Sequence, residues 1–239
     1  MKNKIAITID SPILKLIDRM VKTKKSTRSQ ILSDLVLKGM NKEKLEYGFI
    51  LIKKKNLEIL EKKINGKRLI DHHKHFFKSA GIKKIFLVSD SNQKEKYGLE
   101  IIKDSGFGTE SALKPINLLK LSSPFVLING DTFVDFDLSD LIAFFLSQNN
   151  PVVISLNSFN HPELFYSIYL SGDKIVDIVK EKNPKTYIIH SGVAVINPIV
   201  IDNLSSGNLE DNLYRRLCLK SQISGYFNSG EIIPFELFK

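Results

Sequence analysis

The chain has 239 residues, of which 43% are hydrophobic, and its 35 Lys and Arg against 26 Asp and Glu give a formal net charge of +9. No stretch approaches twenty consecutive apolar residues, so we expect neither membrane insertion nor export and predict a cytoplasmic protein. The lone cysteine, Cys218, excludes an intramolecular disulfide and a zinc site built from several cysteines, while the basic excess favours a polyanionic partner.

The N-terminal segment, residues 1–44, is predicted to form one strand and two helices. Apolar and more polar side chains alternate over residues 4–9, which is the two-residue period of a strand with one buried face. Apolar residues then recur at helical spacing as far as Val21. Thr27 and Gln30 lie three residues apart as a capping box and open a second helix. A segment this short cannot bury a core alone, so we expect an obligate dimer.

This strand, basic turn and two helices resemble a ribbon-helix-helix domain, the family of small bacterial and archaeal repressors. The resemblance implies double-stranded DNA as partner, a homodimer through the N-terminal strands, and higher oligomers on DNA. Paired strands would read bases in the major groove, and the start of the second helix would clamp a phosphate. The matching positions are Lys2, Lys4, Ala6 and Thr8 on the strand and Thr27, Arg28 and Ser29 at the helix start. The alternative is an amphipathic dimerisation hairpin with a solvated basic face.

From residue 47 to residue 239 the pattern predicts a second domain. Short apolar runs without a polar face alternate with helical stretches, which favours a mostly parallel sheet covered on both sides. Later strands joined by turns make the sheet mixed. The predicted strands are 49–52, 84–88, 125–129, 152–156, 165–170, 174–179 and 193–196, and the clearest helices are 69–80 and 138–147.

Several fragments of this domain resemble the sugar-phosphate nucleotidyltransferases, whose fold is similar to glycosyltransferase type A domains. Residues 108–113 are similar to the family's Gly-Thr-Ala-x-Ala-Leu turn, residues 129–131 to its Asn-Gly-Asp motif, and residues 179–184 to its Glu-Lys-Pro stretch. The remaining matches, in chain order, are 65–71, 80–85, 190–193 and 196–198. The resemblance implies a site for a nucleotide or nucleotide-sugar, with Gly108, Thr109, Asn129, Gly130 and Asp131 as ligand-binding residues.

Three departures from the family pattern argue against catalysis. The first strand runs directly into Lys53-Lys54-Lys55-Asn56, so the Gly-rich loop that cradles a triphosphate is absent. The stretch 57–64 offers no anchor for assigning a catalytic lysine. Asp131 keeps the position of one magnesium-binding carboxylate, but no partner carboxylate is in register within residues 230–234. We therefore predict no cofactor and no metal, apart from residual magnesium held weakly at Asp131. The alternative for Asp131 is a turn carboxylate without chemistry.

Two other groups of residues could form sites. His72, His73 and His75 suggest a metal, but a partly exposed helix face is the better interpretation. The basic residues around Lys53–Lys55 could contact DNA or a ligand phosphate, and such runs are usually solvated faces.

The sequence therefore predicts a homodimeric, sequence-specific DNA-binding regulator of transcription with an inactive nucleotidyltransferase-like domain, that is, a pseudoenzyme. The second domain, residues 47–239, would act as an effector sensor or assembly module beside the DNA-binding domain, residues 1–44. One alternative is an active sugar-phosphate nucleotidyltransferase that represses its own gene. Another makes the second domain a purely structural unit.

Overall fold

A computed structural model of the chain describes residues 6–24, 26–42, 45–172, 174–202 and 204–238. The chain divides into two compact units, residues 1–44 and residues 45–239. None of the helices in these described ranges is long and apolar enough to cross a membrane.

The first unit contains helices α1 (Ser11–Lys24) and α2 (Arg28–Lys42). The predicted capping box is present at the start of α2, because Thr27 Oγ1 accepts from the Gln30 N–H at 3.2 Å and Gln30 Oε1 accepts from the Thr27 N–H at 3.2 Å. Residues 6–10 form no strand in the single chain. The predicted base-reading positions Lys2 and Lys4 lie outside the described residues.

The second unit is an α/β domain. Its elements, in chain order, are β1 (Tyr47–Leu51), β2 (Lys63–Ile64), β3 (Lys67–Arg68), α3 (Leu69–Ser79), β4 (Lys84–Ser89), β5 (Glu95–Lys96), β6 (Leu99–Lys103), α4 (Leu113–Asn117), β7 (Phe125–Asn129), β8 (Thr132–Asp135), α5 (Leu138–Ser147), β9 (Val152–Ser158), β10 (Ser167–Ser171), β11 (Lys174–Val179), β12 (Ile188–Ile196), α6 (Arg215–Leu219), β13 (Ile223–Phe227) and β14 (Glu231–Pro234). A 3-10 helix, Lys54–Glu61, follows β1, and a π-helical turn, Glu210–Tyr214, precedes α6.

The main sheet has the strand order β10-β11-β13-β9-β12-β7-β1-β4-β6-β5. Strand β1 pairs in parallel with β4 and β7, and β4 pairs in parallel with β6. Strand β12 runs antiparallel to both β7 and β9. The sheet is mixed as predicted, but it is not mostly parallel: parallel pairing is confined to the β7-β1-β4-β6 half and to β9 with β13. Strands β8 and β14 form a separate antiparallel pair.

The sheet is buried on both faces, which explains the absence of a polar face in the apolar runs. Along β1, Ile50 packs with the core beneath α3 and α5, while Phe49 and Leu51 pack with the core beneath α4 and α6. Alternate side chains of one strand therefore enter different cores. In the second core Cys218 is buried on α6, and burial raises the pKa of its thiol to about 11.

Candidate active site

A cavity of about 360 Å³ opens at one edge of the sheet. Strands β1, β4, β6 and β7 end at this edge, and the antiparallel strand β12 begins there. Its lining includes Ile52 after β1, Asn129 at the end of β7 and His190 near the start of β12. Ligand sites in open α/β sheets form at the carboxyl ends of the parallel strands. The cavity is therefore the candidate site of this domain.

The Asn129-Gly130-Asp131 turn is held closely against the end of β1. The Gly130 N–H donates to the Leu51 carbonyl at 2.8 Å. A Cβ at residue 130 would lie 2.9 Å from Ile50 Cγ2 and 3.0 Å from the Leu51 oxygen, so the close approach requires glycine. Asn129 and Asp131 line the cavity, while Gly130, between them, does not.

His73, on α3, is hydrogen-bonded to the backbone of this turn. Its Nε2 lies 3.2 Å from the Gly130 carbonyl oxygen, and the side chain is 1% exposed. Burial lowers the pKa of His73 to about 4, against the opposite effect of the hydrogen bond with Gly130. The imidazole is therefore neutral at pH 7 and donates from Nε2, since a carbonyl can only accept.

The prediction of a partly exposed histidine face is wrong for His73 and right for its neighbours. His72 is half-buried and bonded to the Ile64 carbonyl, and His75 is exposed. His73 lies three or four residues from Ile70, Phe76 and Phe77, which are all buried, so helical spacing could have identified it as a core residue. Among the described residues no three His, Cys, Asp or Glu side chains are grouped as metal ligands.

Two carboxylates line the same part of the cavity. Asp131 and Glu236 both line it, and the Phe235 N–H donates to the Asp131 carbonyl at 3.0 Å. Burial, together with the negative charge of Glu236, raises the pKa of Asp131, while Asn56 and Lys53 act to lower it. The pairing of Pro234 with Thr132 brings residues 235 and 236 beside Asp131.

The prediction of no partner carboxylate concerned residues 230–234, and none of these lines the cavity except Pro234. A second carboxylate comes instead from Glu236, two residues beyond Pro234. Carboxylate oxygens are the ligands that Mg²⁺ prefers, and Mg²⁺ is commonly held by one or two carboxylates with phosphate oxygens and water. Asp131 and Glu236 fit such an ion.

The turn at Gly108 lies beside the 205–210 loop. Gly108 has φ +105°, and a Cβ there would lie 2.2 Å from the Gly207 carbonyl oxygen, so both the backbone and the close approach require glycine. The Glu110 N–H donates to the Gly207 carbonyl at 2.9 Å, and Thr109 Oγ1 accepts from the Leu209 N–H at 2.9 Å. Gly108 and Thr109 both line the cavity.

The buried carboxylate of Glu110 joins the same turn to the same loop through an ion pair with the exposed Arg216 and a hydrogen bond with Ser205. Glu110, where the family motif has alanine, is fully buried and accepts from Ser205 Oγ at 2.6 Å and from Arg216 Nη2 at 2.6 Å. Burial alone would raise the pKa of Glu110, but the hydrogen bonds from Ser205 and Arg216 outweigh it and hold the pKa below its ordinary value. The turn that carries Thr109 is thus joined to the loop that carries Asn208 into the cavity.

The β10-β11-β12 part of the sheet contributes a second polar group. Lys180 follows β11 and lines the cavity with Tyr166, His190 and Glu210. His190 Nδ1 lies 3.2 Å from Glu210 Oε1, and both side chains are largely buried. The Lys180 Nζ lies 5.9 Å from the centre of the Tyr166 ring. Partial desolvation lowers the pKa of the Lys180 amine, although nearby carboxylates, Glu236 first, act to raise it.

One residue of the stretch 179–184, which resembles the family's Glu-Lys-Pro stretch, lines the cavity. Glu181 Oε2 accepts from the Tyr169 hydroxyl at 2.8 Å, and Lys182 is exposed. Neither residue lines the cavity, whereas Lys180 does. Sequence reasoning therefore missed Lys180, along with His190, Glu210 and Glu236.

Four of the five predicted ligand-binding residues come together in the cavity: Gly108, Thr109, Asn129 and Asp131. Of the basic run, Lys53 and Lys55 line it with Asn56. The predicted DNA contacts belong to the first unit, where Ala6, Thr8, Thr27 and Ser29 are exposed. Arg28 makes a bidentate ion pair with Asp18, at 2.6 and 2.9 Å.

Solved structures share this fold. A Bacillus anthracis protein assigned as a glucose-1-phosphate thymidylyltransferase aligns over 79% of this chain and 89% of its own, with a TM-score of 0.68 and 18% identity. The inositol-1-phosphate CTP transferase from T. maritima aligns over 80% of this chain and 89% of its own, with a TM-score of 0.65 and 12% identity. HddC from Yersinia pseudotuberculosis gives a TM-score of 0.62 at 19% identity, over 80% of this chain and 93% of its own. The second unit is a nucleotidyltransferase-like α/β domain.

A curated relative comes from the same class. The mannose-1-phosphate guanylyltransferase catalytic subunit beta of Dictyostelium discoideum is 26% identical over 113 residues. The match covers 45% of this chain and 31% of that protein, so it spans about a third of the relative's length. No protein-family model matches the chain.

These findings overturn the prediction of a DNA-binding transcriptional regulator with an inactive second domain. The similar proteins are nucleotidyltransferases, which favours the enzyme alternative. Of the three departures behind the pseudoenzyme interpretation, the missing second carboxylate has a counterpart in Glu236, which lines the cavity with Asp131. The Gly-rich loop is absent, since Ile52 leads directly into the Lys53–Asn56 turn and the 3-10 helix. DNA binding and regulation of transcription have no support here.

Proposed function

We propose that the second unit transfers a nucleotidyl group from a nucleoside triphosphate to a sugar 1-phosphate and releases pyrophosphate. The observation that carries this proposal is the pair of carboxylates, Asp131 and Glu236, in a cavity that also holds Lys53, Lys55 and Lys180. Phosphoryl transfer is catalysed mainly by positioning and by neutralisation of negative charge. The lysines, together with a metal ion that the carboxylates would hold, would neutralise this charge.

The chemistry needs little proton transfer. An oxygen of the sugar 1-phosphate attacks the α-phosphorus, a new P–O bond forms, and the bond from the α-phosphorus to the bridging oxygen breaks. The pyrophosphate leaves with the electron pair, and the attacking oxygen is already anionic at neutral pH. Asp131 and Glu236 would hold a magnesium ion, which supplies charge neutralisation on the phosphates.

The substrates are proposed to occupy different halves of the site. The Gly108-Thr109 turn lies in the β1-β4-β6 half and would contact the nucleotide, as the family resemblance implies. Lys180 and His190 lie in the β10-β11-β12 half, where an ammonium group and a partly satisfied imidazole suit a phosphate and ring hydroxyls. The similar proteins act on mannose 1-phosphate, glucose 1-phosphate and inositol 1-phosphate by name, which supports a ring 1-phosphate as acceptor.

Pyrophosphate release tests this function. GTP, dTTP and CTP are each combined with mannose, glucose or inositol 1-phosphate and Mg²⁺, and we expect at least one pair to yield pyrophosphate and a nucleoside diphosphate conjugate. Lys180→Met should raise the KM for the sugar phosphate by about tenfold or more, because it removes a charged phosphate contact. Lys182→Met is the matched control, since Lys182 is exposed outside the cavity. Pyrophosphate release in the absence of a sugar 1-phosphate would contradict the proposal. So would the absence of pyrophosphate release with every pair of substrates.

We also propose that the first unit joins two copies of the chain, with the ribbon-helix-helix arrangement as its detailed form. Its support is five large apolar side chains that are 39–61% exposed in a unit of about forty residues, namely Ile7, Ile13, Leu16, Leu35 and Val36. A unit of this size seldom buries enough apolar surface to be stable alone. A second copy would cover these side chains.

Sedimentation equilibrium of the full chain tests the dimer. We expect a dimer at micromolar concentration and a monomer for Leu16→Glu, whose side chain is 61% exposed in the single chain. Leu219→Glu, at an exposed site of the second unit, should remain dimeric. A monomeric wild-type protein would refute the assignment.

A further inference from the structure

The turn that replaces the Gly-rich loop has little free backbone to offer a phosphate. The Lys54 N–H donates to Asp90 Oδ1, and the Asn56 N–H donates to the Lys53 carbonyl at 2.9 Å. The preceding Ile52 N–H donates to the Val88 carbonyl at 3.0 Å. A Gly-rich loop works because unobstructed backbone N–H groups point at the phosphates. Three of the N–H groups here are bonded within the protein instead.

The side chains of the same turn supply positive charge. Lys53 and Lys55 line the cavity, and Lys54, between them, does not. All three are exposed, so they can move toward a ligand. The charge of Lys53 also reaches Asp131, where it favours the ionised carboxylate. Lys53 therefore lies near Asp131, and Lys55 lines the same cavity, so both can reach a phosphate chain bound there.

The charge balance of the cavity points to an anionic ligand with its own cation. Asp104, Asp131, Glu210 and Glu236 are the acidic residues of the lining, and Lys53, Lys55 and Lys180 are the basic ones. Lys180 is bordered by Glu236, Glu163 and Glu210. Lys53 and Lys55 are the other two cations of the lining that can neutralise a polyphosphate.

We propose that Lys53 and Lys55 bind the phosphate chain of a nucleoside triphosphate through side-chain charge, in place of a backbone cradle. This inference rests on the proposed nucleotidyltransferase function and names the residues that receive its first substrate. Two flexible ammonium groups act as point charges without fixed geometry. Nucleotide binding by this chain should therefore depend strongly on salt, since exposed charges are screened.

Equilibrium binding of GTP, dTTP and CTP, and of the corresponding nucleosides, tests the assignment without turnover. We expect Lys53→Gln and Lys55→Gln each to weaken triphosphate binding about tenfold, as for loss of a hydrogen bond to a charged group, and to leave nucleoside binding unchanged. Lys54→Gln is the matched control and should bind as the wild type does. Raising KCl from 50 to 300 mM should weaken wild-type binding more than binding by the double variant Lys53→Gln/Lys55→Gln.

The outcomes separate the two proposals. If the wild type binds a triphosphate and both single variants bind it equally well, the lysine assignment is wrong while the proposed function stands. If the wild type binds none of the nucleotides, the proposed function itself fails. Equal losses in all three lysine variants would indicate a general surface charge effect and would also refute specific contacts by Lys53 and Lys55.

Discussion

Asp131→Asn is expected to lower the rate of nucleotidyl transfer by about 10²–10³-fold, the usual loss when a group that stabilises transition-state charge is removed. Asparagine keeps the shape of the side chain and its place after Gly130, but it removes the negative charge shared with Glu236. The carboxylate pair could then no longer balance a divalent cation. The measurement is kcat for pyrophosphate release at saturating Mg²⁺.

The same substitution should not weaken the fold. Asp131 and Glu236 are like charges in a partly buried cavity, so neutralising one of them removes a repulsion. We expect the midpoint of thermal unfolding to stay the same or rise. Such a result is typical of a functional group whose charge lowers the stability of the fold. Asp135→Asn, at an exposed position on β8, is the control and should keep full activity. An Asp131→Asn enzyme of unchanged rate would make Asp131 a turn carboxylate without chemistry.

His73→Gln is expected to flatten the acid dependence of stability. In the folded chain the pKa of His73 is about 4, against an ordinary value of 6.5. Below pH 6.5 the imidazole of His73 binds a proton in the unfolded chain, but in the folded chain it stays neutral until about pH 4. The folded state therefore has its full stability above pH 6.5 and loses stability as the pH falls. The loss amounts to about 3 kcal/mol across that range. Glutamine can still donate to the Gly130 carbonyl and does not titrate.

Urea unfolding at pH 7 and pH 4.5 measures this contribution. Carboxylates such as Glu110 also make stability depend on acid, so the informative quantity is the difference between wild type and variant at each pH. That difference should shift by roughly 2–3 kcal/mol in favour of the variant at the lower pH. His75→Gln, at an exposed site two residues further along α3, should follow the wild type. Parallel curves for wild type and His73→Gln would mean that His73 accepts protons in the folded protein.

Much of the central sheet could be predicted because its strands have apolar side chains on both faces. The runs at β1, β4, β7 and β9 were located to within two residues, as were helices α3 and α5. The local pattern carries this information, since most side chains of each run are buried whichever face they lie on. The direction in which strands pair could not be predicted in the same way. Strand β12 runs antiparallel between β7 and β9, and no local sequence pattern indicates this.

The cavity was predicted where its residues belong to one turn and missed where they meet through long-range pairing. Asn129 and Asp131 lie in a recognisable motif, and so do Gly108 and Thr109. Glu236 reaches Asp131 only because β14 pairs with β8 in a particular register, which its own sequence does not encode. Lys180 lies within the matched stretch 179–184 but was not singled out, since the sequence does not show which residue of that stretch enters the cavity after β11.

The buried Cys218 is a natural probe for local opening of the domain around α6. With a pKa of about 11, roughly one thiol in a thousand is ionised at pH 8, and the side chain is 7% exposed. A thiol reagent can therefore react at an appreciable rate only when α6 comes away from its core. Because the sequence holds one cysteine, every labelled molecule records the same event. Labelling time would thus follow how often this part of the domain opens, with no probe added to the chain.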